Sequence, residues 1–372
     1  MPGMNEPEQF EREFESRKAD HIRLALESRM QAEGGSGLDR VHLIHEAFPE
    51  LDFHEVELSV PLFKDFKKNR SGLDSADLVS PLFVSSMTAG HAGSLDLNLV
   101  MAKVSEKRNW AMGVGSQRRQ LTDPQAASEW RKIRKVCPRI RFFGNIGAAQ
   151  LIATRVDEIR ALADSLEASA MIVHANPLQE CFQPEGTPSF KGALKAIERL
   201  ASELECPVIV KETGSGFSRS TLERLRGLGI AAVDVAGLGG THWGRIEGGR
   251  SKPGDKLQQA AETFRNWGIG TVDSVLAALE TGANDGADYE VWASGGVRTG
   301  LDAAKLLAMG ARLVGFAKPV IEAALGGEEA LDKRMELLEF ELKTALFCTG
   351  SRTVAELQGK RTWHLENSPL LK

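Results

Sequence analysis

A repeating alternation constrains this chain more than any other feature. Eight short apolar runs, each bounded by turn residues, alternate with stretches of helical periodicity. The runs are LFVSS (82–86), AMGVG (111–115), RFFGN (141–145), AMIVHAN (170–176), PVIVKE (207–212), AAVDVAG (231–237), YEVWASGG (289–296) and RLVGFA (312–317). Rich in Val, Ile and Phe and with little polar alternation, they have the make-up of strands buried on both faces. Between them, LDLNLVMAKVSEK, TRVDEIRALADSLE and GALKAIERLASEL repeat apolar residues at three- and four-residue spacing, as helices with one buried face do. SRSTLERLRGLG opens on N-cap residues and closes on Gly227 and Gly229, and RTGLDAAKLLAMG repeats that design up to Gly310. Strand then helix, eight times over, predicts an α/β fold of the (β/α)8 TIM-barrel class. A doubly wound open sheet would carry GxGxxG after its first strand. Here MTAGHAG stands in that place, and the glycine-rich turns come late.

The 372 residues are enough for one barrel with additions. Residues 1–80 read as an N-terminal helical cap that closes over substrate, 81–350 as the barrel, and 351–372 as a C-terminal helix and tail. The cap holds a charged helix-like stretch, FEREFESRKADHIRLALES, and a polar loop, QAEGGSGLDR. The segment 240–260, GTHWGRIEGGRSKPGDKLQQA, is too long for a simple turn and reads as a loop over the barrel mouth. The net charge of −5 offers nothing to a nucleic acid or a membrane surface, so a phosphorylated ligand needs a local basic patch. Four cysteines form no CxxC pair, which excludes a zinc cluster or a thioredoxin-like centre. With no apolar leader and no apolar run near the ~20 residues a membrane span needs, a cytoplasmic setting is expected.

Active sites of this fold are assembled at the C-terminal ends of the strands, and polar residues recur there. SGGVR (294–298) and GFAKP (315–319) follow the seventh and eighth strands, where barrels often bind phosphate through backbone amides. Gly295 and Gly296 serve that purpose or merely shape a tight turn. Lys211 ends the fifth strand and points either into the mouth or to solvent. HANPLQE (174–180) gathers His174, Asn176, Gln179 and Glu180. It is a metal- and ligand-binding tip or, equally, a turn punctuated by Asn-Pro. GSQRRQ (115–120) offers Ser116 and Arg118, GNIGA (144–148) offers Asn145, and GLGGTHW (237–243) offers Thr241 and Trp243. Arg17, Lys18 and His21 lie together in the charged stretch, which alone reads as a solvated helix face.

Taken in order, RKADH, SSMTAG, GSQR, GNIGA, HANPLQE, VKETGSG, DVAGLGGTHW, SGGVR and GFAKP closely resemble the flavin-dependent, type 2 isopentenyl-diphosphate isomerases over nearly the whole chain. The pairing of RKxxH with HxNPLQE is the specific part. The resemblance implies an FMN barrel that interconverts isopentenyl and dimethylallyl diphosphate with Mg2+, and with NADPH or another reductant to prime the flavin. It implies FMN contacts at Met87, Thr88, Ala89, Ser116, Asn145, Lys211, Thr241, Gly295, Gly296, Arg298, Ala317 and Lys318. For the substrate it implies Arg17, Lys18, His21, Ser116, Arg118, Gln179 and Trp243, with Glu180 as the metal ligand. Gln179, Lys211 and His174 form the implied catalytic set, and a homotetramer or homo-octamer the implied assembly. Two departures stand out: MTAG where MTGG is usual, and GNIGA where ANIGA is usual.

An isolated alkene is a weak base, so its protonation needs an acid held very close in a dry pocket. No Cys, Asp or Glu besides Glu180 sits in HANPLQE or GSQR. The reduced flavin is therefore the expected acid and base, with Lys211 stabilising its anionic ring. The same barrel also suits an FMN-dependent 2-hydroxy-acid oxidase, with His242 as base and Arg245 or Arg250 gripping a carboxylate. A flavin-binding barrel without catalysis would lack one of the polar strand-end residues, and none is missing.

Overall fold

The computed structural model describes residues 20–63, 78–87, 95–123, 126–283, 289–360 and 362–366. Arg17, Lys18, Thr88 and Ala89 lie outside them. Eight parallel strands form the body: β1 (Leu82–Val84), β2 (Ala111–Gly113), β3 (Phe142–Gly147), β4 (Ala170–Ala175), β5 (Val208–Glu212), β6 (Ala232–Asp234), β7 (Glu290–Trp292) and β8 (Val314–Phe316). Seven fall within their apolar runs, and β3 extends two residues past RFFGN, to Gly147. The order is β7-β6-β5-β4-β3-β2-β1-β8, and a bridge from Ala293 to Val314 brings β7 beside β8. The sheet is thereby closed as the strand-helix alternation requires, and the fold is a (β/α)8 barrel.

Aromatic rings fill the interior. Phe83, Phe143 and Trp292 meet at centroid distances of 5.3–6.2 Å. From the segment ahead of the barrel, Phe63 stacks on Trp292 at 5.4 Å. Burying an aromatic side chain of this size contributes about 2–3 kcal/mol. The antiparallel pair Val60–Pro61 and Leu78–Val79 lies just ahead of β1, at the N-terminal ends of the strands. That end is closed, and the opposite end carries the cavity.

Helices follow the strands as the apolar spacing predicts, from Leu95–Lys107 after β1 to Glu328–Cys348 after β8. Ser218 caps Arg219–Leu225 by accepting from the Thr221 amide. Thr299 and Asp302 cap Gly300–Met309 reciprocally, and Gly310 ends that helix at φ +122°.

The segment 240–260 is not an irregular loop. It folds into helix Trp243–Arg250 and the start of helix Lys256–Thr263. Its glycines conceal this in the sequence, yet they are what permits the packing. A Cβ on Gly249 would come within 2.5 Å of the Met30 methyl, and one on Gly248 within 2.5 Å of the Ala261 Cβ. Met30, Leu24 and Ile246 thus form a small core of their own, with Trp243 against it. Backbone bonds seal the contact: Ala32 donates to Gly240 at 2.7 Å, and His242 donates to Met30 at 2.9 Å. Farther along, strand Val41–Leu43 pairs antiparallel with Trp363–Leu365, so the C-terminal tail holds a strand as well as helix Val354–Gly359. No helix among the described residues is long and apolar enough to cross a membrane.

Candidate active site at the barrel mouth

A cavity of about 750 Å3 opens at the C-terminal ends of the strands. All the flavin, substrate, metal and catalytic residues that the isomerase resemblance implies and that lie within the described residues line it: His21, Met87, Ser116, Arg118, Asn145, His174, Gln179, Glu180, Lys211, Thr241, Trp243, Gly295, Gly296, Arg298, Ala317 and Lys318.

The floor follows from strand register. His174 on β4, Lys211 on β5 and Asp234 on β6 are successive cross-strand partners, so their side chains can meet on one face. Lys211 points inward and is buried. Its ammonium donates to Asp234 at 2.5 Å and to Ser294 at 2.9 Å. Ser294 donates in turn to Asp234 at 2.8 Å. A cation is thereby held at one place under the cavity. On its other side, Asn145 donates to the Val114 carbonyl and meets His174 Nδ1 at 2.7 Å. Since that Asn145 oxygen can only accept, His174 carries a proton on Nδ1.

Glycines shape the wall formed by the loops after β6 and β7. Gly295 and Gly296 have φ of +97° and +72°. A Cβ on Gly295 would sit 2.2 Å from the Gly237 carbonyl oxygen, and one on Gly240 would sit 2.7 Å from the Gly296 amide nitrogen. Only backbone fits there. Arg298 clamps the turn by donating to the Gly296 and Gly239 carbonyls at 3.1 Å each. Helix Lys318–Ala324 begins beside it, with the Lys318 ammonium on the Leu26 carbonyl at 2.8 Å. A cavity with a buried cation on its floor and a bare backbone cradle at one end fits a flavin with a terminal phosphate.

The other end of the cavity is built on helix Pro177–Phe182 and helix Trp243–Arg250. Glu247 is wholly buried. One of its oxygens takes the Gln179 amide at 2.8 Å and His21 Nε2 at 2.9 Å, and the other takes Arg250 at 2.6 Å. Burial opposes its charge, but these three donors overcome it and hold the carboxyl down at about 2. Arg250 is also tied to Glu185 at 3.1 Å, and His21 packs edge-on against Trp243. The Gln179 amide nitrogen is therefore committed to Glu247, while its oxygen accepts from Asn176 at 3.1 Å. Asn176 also donates to Glu180, whose second oxygen accepts the Thr187 amide. The Asn176 carbonyl oxygen is buried with no hydrogen-bond partner. Glu180 and Asn176 thus present hard oxygen donors, which suit Mg2+. Among the described residues no three His, Cys, Asp or Glu side chains converge, so an ion held here draws most of its ligands from substrate and water. Arg118, exposed at the rim, pairs with no carboxylate among the described residues, whereas its neighbour Arg119 is bound to Asp123 and Glu129.

Four partners escaped the sequence reading. Asp234 and Ser294 were hidden within strand runs. Glu247 lay among glycines in what read as a loop. Glu212 follows Lys211 and turns its buried carboxylate onto the amides of Thr213, Gly214, Ser215 and Gly216. Burial pushes its carboxyl up to about 7 despite those donors. A signal was present for Asp234 and Glu212: an acid inside an apolar run needs a buried partner.

The residues proposed as an oxidase site do not assemble. His242 is buried as the cap of helix Trp243–Arg250, accepting from the Arg245 amide at 3.2 Å. Arg245 is engaged with Gln31 and Glu33, and Arg250 with Glu247. None of the three lines the cavity.

Fold and site together define a flavin-barrel enzyme. Residues 148–364 match the family model described as FMN-dependent dehydrogenase. A solved mandelate oxidase, with (S)-2-phenylpropionate, superposes with a TM-score of 0.61 at 17% identity, covering 94% of this chain and 98% of that one, a likeness of fold alone. At the level of sequence the isopentenyl-diphosphate delta-isomerase of Bdellovibrio bacteriovorus is 54% identical over 94% of this chain and 97% of its own length. That of Legionella pneumophila is 49% identical with the same coverage. The chain belongs to the FMN-dependent, type 2 isopentenyl-diphosphate delta-isomerase family.

Proposed function

We propose that this chain interconverts isopentenyl diphosphate and dimethylallyl diphosphate by a 1,3-allylic proton shift. Mg2+ and reduced FMN, primed by NADPH or another reductant, complete the reaction, in a cytoplasmic homotetramer or homo-octamer. The observation that carries this reading is Gln179. It is fixed between Glu247 and Asn176 beside Glu180, in a cavity that also holds the glycine cradle.

Reduced flavin bound in the cradle supplies an acid and base at its ring and a negative charge facing the substrate. The protein's own groups do the rest. Lys211, held by Asp234 and Ser294 on the cavity floor, would offer its positive charge to the bound flavin and favour its anionic form. Glu180 and Asn176 would hold the Mg2+ that neutralises the diphosphate, and Arg118 and His21 would contact the diphosphate, with Arg17 and Lys18 assigned the same role. Binding energy from this charged end positions an apolar end that offers little to grip. Trp243 walls the allylic group and keeps water from it. Gln179 sits where the alkene passes, its dipole direction set by Glu247.

The test is direct. The purified protein should show the spectrum of an oxidised flavin. It should convert isopentenyl diphosphate to its isomer only with Mg2+ and a reductant. Absence of isomer under those conditions refutes the reading, and oxidation of a 2-hydroxy acid instead would establish its rival.

A further inference from the structure

Helix Glu328–Cys348 is crowded with charge, and two of its three cations have a clear partner: Lys343 lies over the Phe53 ring at 5.0 Å, and Lys333 is paired with an acid. Lys333 pairs with Glu329 at 2.6 Å. Asp332, Glu336 and Glu339 receive Arg108, and Asp332 also receives Lys107. Arg334 stands apart. It pairs with no carboxylate among the described residues, although acids flank it along the helix. Its guanidinium donates instead to the backbone carbonyl of Arg298 at 2.7 Å. It is half-buried and lines the same cavity as Gly296, Arg298, Ala317 and Lys318.

Arg298 is placed the same way. Its contacts are the carbonyls of Gly296 and Gly239, and it pairs with no carboxylate among the described residues. Two guanidinium groups are thus aimed by backbone oxygens at one end of the cavity, in a chain whose net charge is −5. A guanidinium has five N–H donors in a fixed fork. One bond to a carbonyl fixes its direction and leaves its charge without a counter-ion. Cations left in that state, Arg334 half-buried and Arg298 exposed at the cavity edge, fit an anionic ligand, and a phosphate accepts two parallel bonds from such a fork.

We infer that Arg334 is a phosphate-binding residue of the flavin site, reaching from the last helix to reinforce the cradle of Gly296, Arg298 and Lys318. The inference rests on the FMN reading above. It goes beyond it in assigning a residue outside the strand-end loops, and in making the last helix part of the cofactor site. Arg334 acts on the phosphate alone, so its removal separates FMN from riboflavin, which has the same ring without the phosphate.

The experiment measures both affinities by quenching of flavin fluorescence in the wild-type protein, Arg334→Gln and Arg334→Lys. Loss of a charge-assisted bond of this kind should weaken FMN binding about tenfold in Arg334→Gln. Riboflavin affinity should stay within about twofold, which also shows the variant to be folded. Arg334→Lys should recover part of the loss, since it restores the charge without the fork. Equal effects on FMN and riboflavin, or none on either, overturn the inference. A wild-type protein that takes up neither flavin overturns the FMN reading itself, and this assignment with it.

Discussion

Asp234→Asn is the sharpest perturbation of the cavity floor. The wild-type pair is almost inaccessible, with side-chain exposures of 6% for Lys211 and 2% for Asp234, and its atoms are 2.5 Å apart. Asparagine preserves the shape and removes the charge. The Lys211 ammonium then has only the neutral Ser294 hydroxyl and an amide beside it. Breaking a buried pair from one side costs about 3–5 kcal/mol, because the remaining charge stays desolvated. For a chain of this length, an unfolding entropy of roughly 2 cal/mol/K per residue converts that to a fall of about 4–6 °C in the melting temperature. Adding Lys211→Met removes the stranded charge. The double variant should therefore regain a large part of the loss while binding reduced flavin poorly. Thermal unfolding by calorimetry or circular dichroism on the wild type, both single variants and the double variant completes the cycle. A single Asp234→Asn variant melting within about 1 °C of the wild type would refute the argument that the pair is closed to solvent.

Other expectations concern the acids around the pocket. Glu247→Gln replaces an acceptor of three donors by a group with one acceptor, misdirecting Gln179. Turnover should fall about a hundredfold while FMN affinity holds, and unchanged turnover would exclude a positioning role. Glu180→Gln should raise the Mg2+ concentration needed for half-maximal activity, whereas an identical Mg2+ response would remove Glu180 from the metal site. Glu212 has a folded-state pKa raised from 4.5 to about 7. Its contribution to stability is complete below pH 4.5 and is lost as pH rises through about 7. Glu212→Gln should therefore flatten the melting temperature across that window, and an unchanged pH profile would show that the carboxyl does not titrate there.

The barrel was legible because its strands are buried on both faces. Runs such as PVIVKE and RLVGFA stand out when nothing polar interrupts them, and Ser218 and Thr299 marked helix starts by a local hydrogen bond. Side chains at strand ends were legible too, since the fold sends them to one place. Long-range partners were not. Glu247 gains its meaning from His21 and Gln179, both distant in sequence, together with Arg250 one turn along its own helix. Helix Trp243–Arg250 was obscured because Gly244, Gly248 and Gly249 weaken helix propensity, while the close packing that compensates involves Ala261 on the next helix and Met30, far away in sequence.

The antiparallel pairing of Val41–Leu43 with Trp363–Leu365 sets an order of events. Its partners flank the barrel in sequence, so the clasp closes only after all eight barrel strands have been made. The segment anchored by that clasp also brings His21 to the cavity and Leu24 and Met30 to the small core beside it. Contacts of such high sequence separation form slowly. A nascent barrel can thus present a formed flavin cradle before its roof is latched, and the cofactor has a period in which to enter.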